Sequence, residues 1–399
     1  MFEERPTKRI RFTLCIPMLS VVPDDCLEQI IEYCDTKEWI QFSYTCKHIN
    51  QYKYCKRLMY NKVKTFSADF PLNDDVFEAA RGTIFNLDIS YCTHLKDIHF
   101  ENLVGIHTLD MRYCAQEQIT DNAFRFLQGI HTLNMSYCNQ ITITDQAFVH
   151  LRGIHTLDIT GANQELDTRK VFANLKGIHT LVAKGFQYLS DDAFLHLAGI
   201  HTLDISFCRE SNITDKAFSY LEGIHTLKMV RCYQRNITDK AFSYLKGIHT
   251  LDMSACKQDT ITDNAFSYLS GIRTLYMSYC TQNTITDKAF SYLGGIDTLD
   301  MIGCCQATIT DKAFSYLGGI QSLYMKGCYQ ETITDKGLSY LRGIRTLDMS
   351  YCYQNTISGE GFCYLVGVER LYMKGCLKRI VDKALSYFEG TESKVFTYC

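Results

Sequence analysis

GIHTLDMSACKQDTITDNAFSYLSG, residues 247–271, is the stretch that decides the fold, because it recurs with few changes along most of the chain. Leu251 and Met253 are two residues apart, and an extended strand turns both side chains to one face and Asp252 to the other. The first part of the segment therefore predicts a short strand with one apolar face.

A helix is predicted in the second half of the same segment. Thr262 belongs to the residue types that cap helix N-termini, and Asp263 places a negative charge at the positive end of the helix dipole. Phe266 and Leu269 share one helical face, and Gly271 allows the chain to turn back into the next strand. Strand, loop, helix and turn together make one coil.

The unit repeats with a step of 24 residues, except for a step of 22 from Gly177 to Gly199. A degenerate copy with Leu87 in its strand comes first, and a truncated copy begins at Gly390. The sequence thus predicts an α/β solenoid of thirteen full strands and a truncated fourteenth, with a parallel inner sheet and outer helices. The repeating glycines are Gly105, Gly129, Gly153, Gly177, Gly199, Gly223, Gly247, Gly271, Gly295, Gly319, Gly343 and Gly367.

The composition indicates a folded protein that has no general attraction to a highly charged partner. Apolar residues make up 46% of the 399 residues, charged residues 21%, and the net charge is −3. These values argue against disorder and give no general attraction to nucleic acid or anionic membrane. No run of about 18 apolar residues is present, so no membrane span is expected. A secretory signal is also not expected, because the basic N-terminus lacks an apolar core.

The 19 cysteines recur about once per repeat and form no Cys-x-x-Cys pair. Free, buried thiols in a reducing compartment are therefore expected rather than disulfides or a zinc site. The short basic cluster around Arg9 is interpreted as part of a solvated tail, with a nuclear address as the alternative. The expected location is the cytoplasm or the nucleus.

A different pattern occupies residues 20–52. Pro23 fits a helix start, and Leu27 and Ile30 begin an apolar stripe at helical spacing. A second short helix is predicted around Trp39, and a third follows it. The predicted organisation is a basic tail (1–19), this helical module (20–52), a helical connector (53–70) and the solenoid (71–399).

The repeat motif Ile-x-x-Leu-x-Met-x-x-Cys followed by Ile-Thr-Asp resembles the cysteine-containing class of leucine-rich repeats. The order of residues in the helical module resembles an F-box, through Val22-Pro23-Asp24-Asp25, Asp35-Thr36-Lys37-Glu38-Trp39 and Cys46-Lys47-His48-Ile49. Two positions depart from the family pattern, with Ile49 replacing the usual tryptophan and Trp39 standing where an aliphatic residue is common. The near-identity of the copies also resembles the F-box and leucine-rich-repeat proteins of giant amoeba-infecting DNA viruses.

The resemblance implies binding to a Skp-type adaptor of a cullin–RING ubiquitin ligase. The alternative interpretation is that the module is only a helical cap that shields the first coil. The adaptor contacts that the family implies are Val22, Pro23, Leu27, Ile30, Trp39 and Ile40.

Repeats place equivalent residues in columns, and the concave face of the sheet is the expected binding surface. In the later coils, aspartate alternates with tyrosine in the position after the strand leucine, and two lysines stand beside the tyrosines. Tyrosines are rigid anchors in protein recognition, whereas a phosphate backbone would need clustered lysine and arginine. We therefore expect a protein substrate at Asp252, Tyr276, Asp300, Tyr324, Lys326, Asp348, Tyr372 and Lys374.

Two further columns have structural and functional interpretations. A cysteine follows most strands, and the family uses this position to bond loop backbone; metal binding is the weaker alternative. Seven histidines precede successive strands from His107 to His249, which favours a solvated turn position over a pH sensor or metal site. No catalytic motif, metal-ligand motif or cofactor site stands out. The chain is expected to be a non-enzymatic substrate receptor of a ubiquitin ligase, or else an interaction scaffold without a ligase.

Overall fold

The computed structural model describes residues 86–162, 166–186, 188–209 and 212–397. They form one parallel sheet of fourteen strands in which every strand pairs with its neighbours in sequence order. Each strand has three residues, and equivalent residues pair without a register shift. The strands are β1 (Asn86–Asp88), β2 (Thr108–Asp110), β3 (Thr132–Asn134), β4 (Thr156–Asp158), β5 (Thr180–Val182), β6 (Thr202–Asp204), β7 (Thr226–Lys228), β8 (Thr250–Asp252), β9 (Thr274–Tyr276), β10 (Thr298–Asp300), β11 (Ser322–Tyr324), β12 (Thr346–Asp348), β13 (Arg370–Tyr372) and β14 (Lys394–Phe396).

Short helices return the chain from one strand to the next, and each coil is numbered here by the strand that begins it. The α-helices are α1 (Asp97–Phe100), α2 (Asp121–Phe124), α3 (Thr168–Asn174), α4 (Asp191–Phe194), α5 (Asp215–Phe218), α6 (Asp239–Phe242), α7 (Asp263–Phe266), α8 (Asp287–Phe290), α9 (Asp311–Ser315), α10 (Asp335–Ser339) and α11 (Lys378–Phe388). The 3-10 helices are Glu101–Leu103, Arg125–Leu127, Ala147–Leu151, Leu195–Leu197 and Glu360–Tyr364.

The core is a stack of similar layers between the sheet and the helices. In coil 8, Leu251, Met253, Cys256 and Phe266 are all fully buried. A single coil cannot enclose this apolar set, but each coil covers the one before it, so the stack buries it continuously.

The solenoid that the repeat predicts is confirmed, and so are the strand and the helix start in its unit. Thr262 caps α7 by accepting a hydrogen bond from the backbone N–H of Asn264. The truncated last copy forms the predicted fourteenth strand, since β14 pairs in register with β13.

The predicted tail, helical module and connector lie outside the described residues, and so do all six predicted adaptor contacts. Among the residues that the structure describes, no helix is long and apolar enough to cross a membrane.

Candidate protein-binding face

The sheet brings six of the predicted binding residues into one row across neighbouring strands. Asp252 pairs with Tyr276, Tyr276 with Asp300, and the alternation continues through Tyr324 and Asp348. Tyr372 ends the row beside Asp348. All six side chains are partly exposed. Alternate strands are about 10 Å apart, so the row repeats carboxylates and phenols over coils 8 to 13. We call these six residues the Asp–Tyr row.

Each aspartate of the row also has a role in its own loop. The Oδ1 atom of Asp252 accepts the backbone N–H of Ser254 at 3.0 Å, and Asp300 and Asp348 accept the equivalent N–H groups at 3.0 and 2.9 Å. Bonds of this kind fix an Asx-turn. The tyrosines that alternate with the aspartates cannot accept this hydrogen bond, so they do not fix the turn.

The electrostatics of the row are those of closely spaced acidic groups. Burial raises the pKa of Asp300, and the charges of Asp252 and Asp348 act in the same direction. Burial also raises the pKa of Tyr276, with Asp252 and Asp300 adding to the effect. Within the described residues none of the three aspartates forms an ion pair, whereas Asp204 in coil 6 pairs with Lys184 at 3.2 Å. The row therefore favours a ligand that brings positive charge between the tyrosines.

The two predicted lysines lie beside the row and differ in their surroundings. The Lys326 Nζ atom is exposed and lies 5.3 Å from the ring centroid of Tyr351, a cation–π distance. Lys374 is half-buried, and the neighbouring Tyr372 ring stacks on Phe396 at 4.7 Å. Each lysine lies two residues beyond a tyrosine of the row, Lys326 after Tyr324 and Lys374 after Tyr372. The contact of these eight residues with a substrate stays a prediction.

One column on this edge of the sheet was missed by the sequence analysis. The residue before each cysteine position has a left-handed backbone, and the exposed rings of Tyr91, Tyr113 and Tyr137 stack there at 4.6 and 4.7 Å. The glycines that share the column, such as Gly161, were the available signal.

The histidine column is present at the opposite edge, where the strands begin. The seven rings stack in six successive contacts with centroid distances of 4.4–4.5 Å. The predicted solvated turn describes His201 and His249, which are exposed, but the other five rings are half-buried. The sequence could not predict the stacking because it depends on the side-chain rotamers.

The cysteine column bonds loop backbone, as predicted. The Cys256 Sγ donates to the carbonyl of Met229 at 3.1 Å, and Cys280 donates to Met253 at 3.2 Å. Burial raises the pKa of the Cys280 thiol to about 12, which keeps it protonated at neutral pH. No group of three or more metal-ligand side chains occurs in the described part of the chain.

Two family models match the chain. A BspA type leucine-rich-repeat region matches in six copies, over residues 47–179, 93–224 and 187–321. An F-box domain model matches residues 19–52, which agrees with the module that the sequence analysis found. No curated protein matches the chain.

Several solved structures share the fold. A chain of the Toll–Spatzle complex of Drosophila aligns with 14% identity and a TM-score of 0.55, over 79% of this chain and 46% of that one. The TLR13–ssRNA13 complex aligns with 17% identity and a TM-score of 0.56, over 79% of this chain and 50% of that one. The mouse RP105/MD-1 complex aligns with 14% identity and a TM-score of 0.55, over 77% of this chain and 58% of that one. The chain spans about half the length of these structures, and the likeness concerns the fold alone.

Proposed function

The chain belongs to the family of BspA-type leucine-rich-repeat proteins, and from its F-box match we propose that it is the substrate-recognition subunit of an SCF-type cullin–RING ubiquitin ligase. The observation that carries the proposal is the position of an F-box directly before a repeat solenoid in one chain. Proteins built from these modules are interaction and adaptor proteins, and we propose that this one has no catalytic activity of its own. The proposed site of action is the cytoplasm, with the nucleus as an alternative.

The F-box and the repeat solenoid would bind different partners. The F-box would dock on a Skp-type adaptor through Val22, Pro23, Leu27, Ile30, Trp39 and Ile40. The Asp–Tyr row, with Lys326 and Lys374, would hold a protein substrate on the concave face. Tethering raises the effective concentration of substrate lysines near the charged conjugating enzyme, so the chemistry would be supplied by other subunits.

Adaptor binding tests the first half of the proposal. The full-length chain is expected to co-precipitate a Skp-type adaptor and a cullin, and the double variant Pro23→Ala/Leu27→Ala is expected to lose both. A matched control is Tyr276→Ala/Tyr324→Ala, which changes the concave face and should keep the adaptor. If the unaltered chain binds no adaptor, the ligase role is wrong and the interaction scaffold without a ligase replaces it.

Substrate capture tests the second half. Proximity labelling in cells should identify proteins that are lost with Tyr276→Ala/Tyr324→Ala and kept with Pro23→Ala/Leu27→Ala. A large interface anchor such as tyrosine contributes about 2 kcal/mol when it is a hot spot, so two substitutions should abolish capture. Identical labelling by the unaltered chain and the tyrosine variant would show that the partner binds elsewhere.

A further inference from the structure

The histidine column is a regular stack of aromatic side chains. Neighbouring rings are nearly parallel, with interplanar angles of 11–13° and centroids 4.4–4.5 Å apart. The column runs without a gap through coils 2 to 8 and consists of His107, His131, His155, His179, His201, His225 and His249. Seven titratable rings thus stand in contact along one edge of the solenoid.

Polar contacts orient the rings in the same way in each coil. The Nδ1 atom of every ring lies 3.1–3.2 Å from the hydroxyl of the threonine that follows it, as in His225 and Thr226. Consecutive coils are also joined below the rings, where the backbone N–H of His249 donates to the carbonyl of His225. The backbone at this edge therefore holds consecutive rings at the spacing of adjacent strands.

The positions three residues away on either side of each histidine carry nine charged residues and five uncharged ones. The strand side carries Asp110, Asn134, Asp158, Val182, Asp204, Lys228 and Asp252, and the turn side carries Val104, Gln128, Arg152, Lys176, Ala198, Glu222 and Lys246. The strand side carries four aspartates and one lysine, and two of these aspartates are already paired, Asp110 with Arg112 and Asp204 with Lys184. The turn side carries three basic residues and one glutamate. The next position beyond His249 is Arg273, which adds a positive charge at that end of the column.

Neighbouring imidazoles oppose one another's protonation. Burial lowers the pKa of His179, and His155 and His201 lower it further. Burial likewise lowers the pKa of His225, with His201 and His249 adding to the effect. In the unfolded chain His179 and His225 are far from the other histidines and titrate near 6.5. The folded state therefore binds fewer protons than the unfolded state just below that pH.

We propose that the histidine column is a proton-sensitive edge that loosens coils 2 to 8 when the pH falls below about 6.5. Folding stability increases with pH wherever the unfolded state binds more protons than the folded state. The contribution of the column to stability is therefore fully present above about pH 6.5 and is lost progressively below it. This regulation belongs to the solenoid and does not depend on the ligase role. Acidification would weaken coils 2 to 8, which share only coil 8 with the Asp–Tyr row, before it weakens the C-terminal coils.

The C-terminal coils provide an internal control with the same fold. The same column continues there as Arg273, Asp297, Gln321, Arg345 and Glu369. Arg273 pairs with Asp297 at 3.6 Å and Arg345 with Glu369 at 3.8 Å. In coils 9 to 13 the column holds ion pairs in place of histidines, so no like charges form there when the pH falls to about 6.

Hydrogen exchange of the full-length chain can compare the two halves directly. Between about pH 7.5 and pH 5.5, amide protection corrected for the intrinsic exchange rate should fall at least about threefold more in residues 106–253 than in residues 272–373. Equal changes in the two halves would overturn the proposal.

Two triple variants separate ring contact from histidine number. Replacing His131, His179 and His225 by glutamine breaks all six ring contacts, and replacing His201, His225 and His249 breaks three of them. Glutamine is the residue that the chain itself uses at position 321. Both variants remove three imidazoles, so a difference in acid sensitivity between them reflects the number of ring contacts and not the number of histidines.

The readout is the difference in thermal unfolding temperature between about pH 7.5 and pH 5.5 for each variant. The alternating variant should lose most of the acid sensitivity, and the block variant should keep about half of it, in proportion to its remaining contacts. Equal acid sensitivity in the two variants would contradict a mechanism based on ring contact. Should a variant fail to fold, the exchange comparison within the unaltered chain still decides the question.

Discussion

One backbone conformation recurs in all thirteen loops of coils 1 to 13, at the residue before the cysteine position. Its φ lies between 56° and 73°, a left-handed conformation that favours glycine. Only five of the thirteen residues are glycine, and the others include Tyr279 and Phe207. Tyrosine and phenylalanine are strained in this conformation, so these exposed side chains are held there at a cost to stability.

Two glycines of this column allow the strain to be separated from side-chain contact. Gly303 has φ +66°, and a Cβ there would lie 2.6 Å from Cδ1 of Tyr279, whereas Gly327 has φ +67° and open space. We predict that Gly327→Ala destabilises by about 1 kcal/mol through backbone strain. Gly303→Ala should cost about 1 kcal/mol more, because the Tyr279 ring must leave its rotamer.

Chemical denaturation of the two variants measures this difference, with Gly327→Ala as the matched control for Gly303→Ala. Equal losses would mean that the Tyr279 ring moves aside freely and contributes no packing at the loop.

Among the secondary-structure elements, the short helices are held together by a ladder between consecutive coils. The N–H and hydroxyl of Thr286 donate to the two carboxylate oxygens of Asp263 at 2.7 and 2.8 Å. The same Thr286 oxygen also accepts the N–H of Lys288 and so caps α8. Helices of four or five residues are not stable alone, and this ladder explains why Ile-Thr-Asp varies so little along the stack.

Replacing one ladder threonine should destabilise more than replacing a nearby threonine with a single bond. Thr286→Val loses the cap and the hydroxyl bond to a carboxylate, at a cost of about 2 kcal/mol. Thr284→Val is the control, since its hydroxyl makes one bond, to the carbonyl of Ile261 at 2.8 Å, worth about 1 kcal/mol. The free energies of unfolding from urea titration compare the two.

A Thr286→Val variant as stable as Thr284→Val would indicate that the remaining backbone bond to Asp263 is sufficient to hold α8 in place.

For the whole molecule, the period of 24 residues was enough to predict the solenoid. Leu251 and Met253 gave the buried face of the sheet, and register needs no further information because identical coils can pair in only one way. The Asp–Tyr row followed from the same logic. Five glycines were a signal for the left-handed column, but the eight other residues there obscure it. The stacking of the imidazoles could not be predicted, because it depends on side-chain torsions that residue types do not fix.

The turn bonds of the aspartates were also beyond the sequence, and they change the interpretation of the row. Asp300 accepts the backbone N–H of Ile302, so its presence is explained without a ligand. Tyr276, Tyr324 and Tyr372 have no such bond and are the stronger candidates for recognition.

If the coils are interchangeable units, removing one complete repeat should leave a folded protein. Deleting residues 248–271 joins Gly247 to Ile272, which keeps every column aligned and lets Thr286 meet Asp239 in place of Asp263. Because a solenoid gains stability from repeats and nearest-neighbour contacts, we expect native-like circular dichroism and an unfolding temperature lower by only a few degrees, on the order expected for one lost coil. Deleting residues 248–259 is the control: it removes half a repeat, brings a helix where β8 should be, and should prevent folding. If the full-repeat deletion fails as the half-repeat deletion does, the coils are not equivalent, and contacts particular to coil 8 must hold the stack together.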